Sequence, residues 1–158
     1  MKLLAVSALV CAVVVLTNAA AYRDLFKRHF GKWTVVGNHQ CLYVDHPQTW
    51  SQAEQNCHQL GGHLASVHSH LENHQITLLV TRMTGGNPHV WLGGSDQHRE
   101  GNWGWNDGSF MNFKNWCPGE PNNYGGKEDC LQTKYISGQC WNDLTCSTLL
   151  PSVCCKQK

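Results

Sequence analysis

Glu120-Pro121-Asn122, then Glu128-Asp129-Cys130, then Trp141-Asn142-Asp143 are the stretches that decide how this chain is read. They close a run of oxygen-bearing side chains: Asp96, Glu100, Glu120, Asn122, Asn123, Glu128, Asp129, Asn142 and Asp143. A hard dication such as calcium takes roughly six to eight oxygen ligands from carboxylates, amide carbonyls and water. The residue types fit that demand, and the regular pattern of an EF-hand is absent. A polar surface loop has a similar composition, so the arrangement has to decide. Residues 93–127 show no sustained hydrophobic periodicity and are rich in glycine and asparagine. So long an unpatterned stretch is uncommon inside a compact domain and is usually functional.

Regular elements are expected on both sides of this loop. Strand-like stretches flank Asn38, at 33–36 and 41–44. Ser51-Gln52-Ala53-Glu54 reads as a capping box opening a helix, with Trp50, Ala53, Cys57 and Leu60 on one face. Gly61-Gly62 ends it. A second helix opens at Ser69, with Glu72 three residues on. Ile76, Leu79, Val80 and Met83 are expected to form its buried stripe, and Gly85-Gly86 to close it. Further strands are expected at 89–92, 130–135, 138–141 and 152–156. Two early helices, short strands at both ends and a late loop imply an α+β domain.

At the start, Met1-Lys2 precedes an apolar run at 3–16 and small residues at 17–21. That is the form of a secretory signal peptide, with its apolar middle of about 7–15 residues. A membrane anchor needs about 20, so no transmembrane anchor is expected. Residues 22–32 then form a short N-terminal leader. Arg23, Lys27, Arg28 and Lys32 lie beside Tyr22, Leu25, Phe26 and Phe30, so a small amphipathic helix is its rival description. Residues 33–158 remain as the domain. The chain has nine cysteines, a count that cannot pair completely. Cys11 departs with the signal peptide and leaves an even set, as an exported, oxidised chain requires. A formal net charge of +1 offers no basic excess for phosphates, so no nucleic-acid partner is expected.

Taken together, the quoted motifs closely resemble the signature of the C-type lectin family. Trp91-Leu92-Gly93-Gly94 is similar to the family's buried Trp-Ile-Gly-Leu strand, with Gly94 a departure. Cys57, Cys130, Cys146 and Cys154 match its four framework cysteines. The resemblance covers about residues 33–156. It implies a C-type lectin-like domain with two helices, short antiparallel sheets and a long calcium-binding loop. It implies a primary calcium held by Glu120, Asn122, Glu128, Asn142 and Asp143, with a cis bond before Pro121. It aligns an auxiliary calcium site with Asp96, Glu100, Asn123 and Asp129, where Asn123 replaces the more usual aspartate.

What the resemblance implies for function is a secreted, extracellular, non-enzymatic lectin. The same five primary residues would bind sugar hydroxyls directly, the glutamates accepting and the asparagine amides donating. In the family, Glu-Pro-Asn goes with sugars whose vicinal hydroxyls are equatorial: mannose, N-acetylglucosamine, glucose and fucose. The partners are then microbial or host glycoconjugates, with innate defence as the role. The family framework implies Cys57–Cys154 and Cys130–Cys146. Extra cysteines as in small secreted lectins and type II antifreeze proteins imply Cys117–Cys140. Cys41 and Cys155 remain, either paired with each other or bridging two chains in a homo-oligomer. The rival function is ice binding on the same scaffold.

Histidines form a further cluster in the sequence: His63, His68, His70 and His74. His70 and His74 stand at a spacing that can bind zinc. A solvated helix face has the same pattern. No nucleophile elbow, free-thiol Cys–His pair or His-Glu-x-x-His motif indicates catalysis.

Overall fold

The computed structural model of the chain describes residues 33–134 and 139–158, and all of them belong to the unit Trp33–Lys158. The expected signal peptide and leader, and residues 135–138 of the expected late strands, lie outside the described residues. Strand β1 (Thr34–Val36) leads into β2 (His39–Gln48), helix α1 (Trp50–Gln59) and β3 (His63–Leu64). Helix α2 (His70–Thr84), β4 (Trp91–Ser95) and β5 (Gly104–Trp105) follow. After a long loop come β6 (Cys130–Lys134), β7 (Cys140–Leu144) and β8 (Leu150–Gln157). The result is an α+β domain, as expected.

The strands join in one sheet of order β1-β2-β8-β4-β6-β7, with β3 on β8 and β5 on β4. All pairs are antiparallel except β4 with β8, where Trp91 faces Ser152 in parallel. The longest pairing is between β2 and β8, which face each other from His39↔Gln157 to Gln48↔Leu150. It draws the two ends of the unit together and sets Cys41 opposite Cys155. Four disulfides form: Cys41–Cys155, Cys57–Cys154, Cys117–Cys140 and Cys130–Cys146. The Cys41–Cys155 alternative of an interchain bond is therefore not taken up.

Both helices differ in detail from the expectation. Helix α1 starts two residues earlier, because Thr49 is the cap and Gln52 its reciprocal partner. The Thr49 hydroxyl accepts from the Gln52 amide at 3.4 Å, and the Gln52 side chain accepts from the Thr49 amide at 3.2 Å. Both Ser51–Glu54 and Thr49–Gln52 satisfy the spacing rule. Trp50 must be inside the first turn to donate its indole N–H to Leu92 O at 2.8 Å, and that favours the earlier start. Helix α2 is capped at Ser69 and closed by Gly85, as expected. Its buried stripe is Ile76, Thr77, Leu79, Val80 and Asn73, whereas Met83 is exposed.

Packing also accounts for Gly94. A Cβ there would lie 2.6 Å from Leu131 Cδ1 and 2.9 Å from Leu131 Cβ. Leu131, fully buried on the neighbouring β6, occupies the room that a larger residue on β4 would need. Leu92, Leu131, Trp141 and Val153 are fully or almost fully buried together in the main core. Trp141 meets Trp105, Phe113 and Trp116 in T-shaped pairs at centroid distances of 5.6, 5.5 and 5.9 Å. Its indole N–H donates to Asn73 Oδ1 at 2.8 Å, so a fully buried donor is satisfied by α2. Asn142 and Asp143 follow Trp141 directly on β7.

Candidate functional site

The site is built from a rigid strand and a folded loop. Strand β7 pairs with β6 from Cys130↔Leu144 to Lys134↔Cys140, which fixes Asn142 and Asp143. Asp143 is fully buried and Asn142 nearly so. The loop end carrying Glu120-Pro121-Asn122 comes to this strand along two connections. Cys117 N–H donates to Trp141 O at 2.8 Å, and the Cys117–Cys140 bond ties the same two segments covalently. The Glu120-Pro121 peptide is cis, as the signature implied.

Asp143 gathers the loop. Its Oδ1 accepts from Asn122 N–H at 3.2 Å and its Oδ2 from Asn123 N–H at 2.7 Å. Glu120 Oε2 accepts from the Asn122 side-chain amide at 2.5 Å. Glu128 Oε2 accepts from Tyr124 N–H at 3.0 Å. The Asn142 amide reaches the Asp143 carbonyl oxygen. Glu120 and Glu128 are half-buried, Asn122 is exposed and Tyr124 is 81% exposed, so this face is open to a ligand. The three acids do not draw ligand atoms into one group as tight as 4.8 Å. The Asp143 and Glu128 carboxylates each take loop N–H donors instead.

The four residues aligned with the auxiliary site lie next to this one. Asn123 links them, its amide donating to Glu100 Oε2 at 2.5 Å while its Oδ1 accepts from Glu128 N–H at 3.1 Å. Its αL conformation (φ 42°) is one that asparagine tolerates. Asp96 N–H donates to Asp129 O at 3.2 Å. Asp96 is buried, and its Oδ1 is buried without a hydrogen-bond partner. Burial, together with the Asp129 and Asp143 carboxylates, raises its pKa above the usual 3.8. Desolvation and the charges of Asp96, Asp129 and Asp143 also raise that of Glu100. A hydrogen bond from the Gly101 amide works against the rise at both carboxyls without cancelling it. An orphaned buried carboxylate oxygen facing other carboxylates is the environment that a bound cation would relieve, and the donor set is all oxygen. The residues present therefore fit calcium.

Other candidate residues lie elsewhere. His70 and His74 are exposed on α2, His70 against Phe113 with rings 4.7 Å apart and His74 near Gln139 at 3.4 Å. Two polar groupings escaped the sequence reading. In one, Asp107 accepts from the Ser66 and Ser109 hydroxyls, each at 2.5 Å. In the other, Glu54 meets His58 and His63. The spacing of Glu54 and His58 on one helix face was a usable signal for the second. Nothing local connects Ser66 with Asp107.

Comparison with known proteins accords with this arrangement. The chain is 34% identical to ladderlectin of Oncorhynchus mykiss, over 96% of this chain and 92% of that protein. It is 36% identical to the galactose-specific lectin nattectin of Thalassophryne nattereri, over 78% of this chain and 77% of that protein. Among solved structures, a calcium-independent type II antifreeze protein superposes with a TM-score of 0.72 at 34% identity, covering 81% of this chain and 95% of that one. The family model described as the lectin C-type domain matches residues 46–156, and with that span, this fold and these relatives the chain belongs to the C-type lectin family.

Proposed function

We propose that the protein is a secreted, calcium-dependent lectin of mannose-type specificity that recognises microbial or host glycans in innate defence. Residues 1–21 are then the signal peptide, 22–32 a leader and 33–158 the lectin domain. Supporting this reading above all is the way the loop gathers at an open face: the Asn122 and Asn123 backbone amides donate to buried Asp143, and the Asn122 side chain donates to Glu120. Glu120, Asn122, Glu128, Asn142 and Asp143 would hold the primary calcium. Asp96, Glu100, Asn123 and Asp129 would hold the auxiliary one.

Bound calcium supplies positive charge and vacant coordination positions for two adjacent sugar hydroxyls. The chain's own residues orient them. Glu120 and Glu128 carboxylate oxygens accept from the hydroxyls, and the Asn122 and Asn142 amides donate. Hydrogen bonds to a charged acceptor are the stronger class, which sets the polarity of the site. Buried Asp143 braces the loop through two backbone amides, so the donors and acceptors are arranged before the sugar arrives.

A single open site of this kind binds a monosaccharide at roughly millimolar strength. Useful avidity then comes from several sites on one particle or assembly. The other reading, ice binding, is supported by the similarity to a type II antifreeze protein. Nattectin, by its name galactose-specific, makes the sugar class the point to test. A glycan array with and without chelator does so. Calcium-dependent binding to mannose-type glycans is expected. Calcium-dependent binding to galactose alone overturns the sugar class. Thermal hysteresis with no glycan binding overturns the lectin reading.

A further inference from the structure

Between α1 and β3, one carboxylate oxygen meets two imidazoles. Glu54 Oε1 lies 2.9 Å from His58 Nε2 and 2.7 Å from His63 Nδ1. Among the described residues this is the one group of three carboxylate or imidazole side chains whose ligand atoms all fall within 4.8 Å of one another. We infer that Glu54, His58 and His63 form a site for a transition-metal dication of the zinc class, separate from the acidic loop and independent of sugar binding.

The donor set carries the choice of ion. Two imidazoles and one carboxylate suit zinc and its borderline neighbours, whereas calcium takes oxygen donors. Four-coordinate zinc with bonds of about 2.0–2.1 Å keeps its ligand atoms about 3.3 Å apart. The two carboxylate–imidazole distances, 2.9 and 2.7 Å, need to open by about half an ångström, and the two imidazole nitrogens already lie within 4.8 Å of each other. His58 can make that move, because its side chain is 58% exposed.

The other two ligands are held in place. Glu54 is only 13% exposed, and its second oxygen, Oε2, accepts from Leu64 N–H at 2.8 Å. A backbone donor on the non-ligating oxygen orients a carboxylate for monodentate binding. His63 opens β3, in register with Cys155 of β8. Gly62 sets that register, since a Cβ on it would lie 2.2 Å from Cys155 O. Glu54 and His58 are one helical turn apart on α1, so all three ligands rest on regular elements. The two rings meet edge to face with centroids 4.4 Å apart. His58 and His63 also line a groove with His39, Ser66 and Lys156. Three protein ligands beside a groove leave a fourth position for water or for a donor atom of a small ligand.

The test is a zinc titration of the purified full chain, disulfides intact, in millimolar calcium and against a chromophoric competitor. One zinc per chain is expected. Affinity is expected to fall at least about tenfold in His58→Ala, in His63→Ala and in Glu54→Gln. The double variant His70→Ala/His74→Ala removes the other pair spaced for zinc and is expected to bind as the unaltered chain does. NMR of the unaltered chain adds a readout that no substitution can disturb: zinc should shift the ring resonances of His58 and His63 first. Absence of stoichiometric binding overturns the proposal. So does binding that survives loss of His63, or that shifts the rings of His70 and His74 instead. Because calcium is present throughout and glycan binding is not read, failure here leaves the lectin reading standing.

Discussion

Asp143 shows how one side chain joins the core to the site. It is fully buried, and each of its oxygens accepts from a loop amide, of Asn122 and of Asn123, so hydrogen bonding offsets its burial and leaves each oxygen a further lone pair. Its neighbours Glu120 and Asn122 set the polarity of the open face. Exchanging them, Glu120→Gln with Asn122→Asp, reverses donor and acceptor. Mannose affinity is expected to fall at least about tenfold, read by retention on immobilised mannose, and unchanged retention refutes the assignment. Asp107 carries a different lesson. Burial pushes its carboxyl up, but the Ser109 and Ser66 hydroxyls, the Ser109 amide and His68 outweigh that and hold its pKa below 3.8. A depressed carboxylate contributes stability that is fully present above its unfolded pKa and is lost as pH falls through the folded value. Asp107→Asn should therefore cost about 1–3 kcal/mol near neutral pH, and the difference should shrink below about pH 4. Urea denaturation of both forms at the two pH values measures this.

At the scale of elements, the cap of α1 decides more than a helix boundary. Read from spacing, Glu54 belongs to a cap with Ser51. In the fold Thr49 and Gln52 complete the cap, and Glu54 is left to meet Leu64, His58 and His63. Spacing rules name every pair that could form a box; the anchoring of Trp50 on β4 selects one. Met83 is a similar case. Its position continues the apolar stripe of α2, but it is exposed, and buried Asn73 and Thr77 share the inner face with Ile76, Leu79 and Val80. Asn73 is there because Trp141 needs an acceptor. The link between loop and β7 gives a prediction at this scale. Cys117–Cys140 closes a segment of 23 residues that contains Glu120, Asn122 and Glu128. Cys117→Ser with Cys140→Ser should lower stability by about 2–4 kcal/mol. Calcium affinity should fall with it, because the two ligand-bearing segments are no longer clipped. Paired denaturation and calcium titrations report both, and unchanged calcium affinity shows that the backbone contacts suffice.

Across the whole molecule, β2 and β8 run together at the two ends of the unit, and the Cys41–Cys155 and Cys57–Cys154 bonds close almost its entire length. The acidic loop is the part left with an unmet electrostatic demand. Calcium at 100 times its dissociation constant should then stabilise the fold by about 2.7 kcal/mol, as a rise in Tm that chelator reverses. No shift with calcium counts against the calcium reading. The α+β class, both helices and the groups of oxygen donors were legible in the sequence, because helix stripes, caps and motifs depend on residues close together along the chain. The resemblance also implied three of the cysteine pairs, whereas the choice between an intrachain and an interchain bond for Cys41 and Cys155 was decided by the pairing of β2 with β8. The sequence was silent on the parallel β4–β8 contact, the fit of Leu131 over Gly94, the orphaned Asp96 oxygen and the meeting of Glu54 with His58 and His63. Each of these depends on which surfaces face one another after the sheet has closed. Sequence patterning shows which face of an element is apolar; only packing in three dimensions settles which distant side chain arrives there.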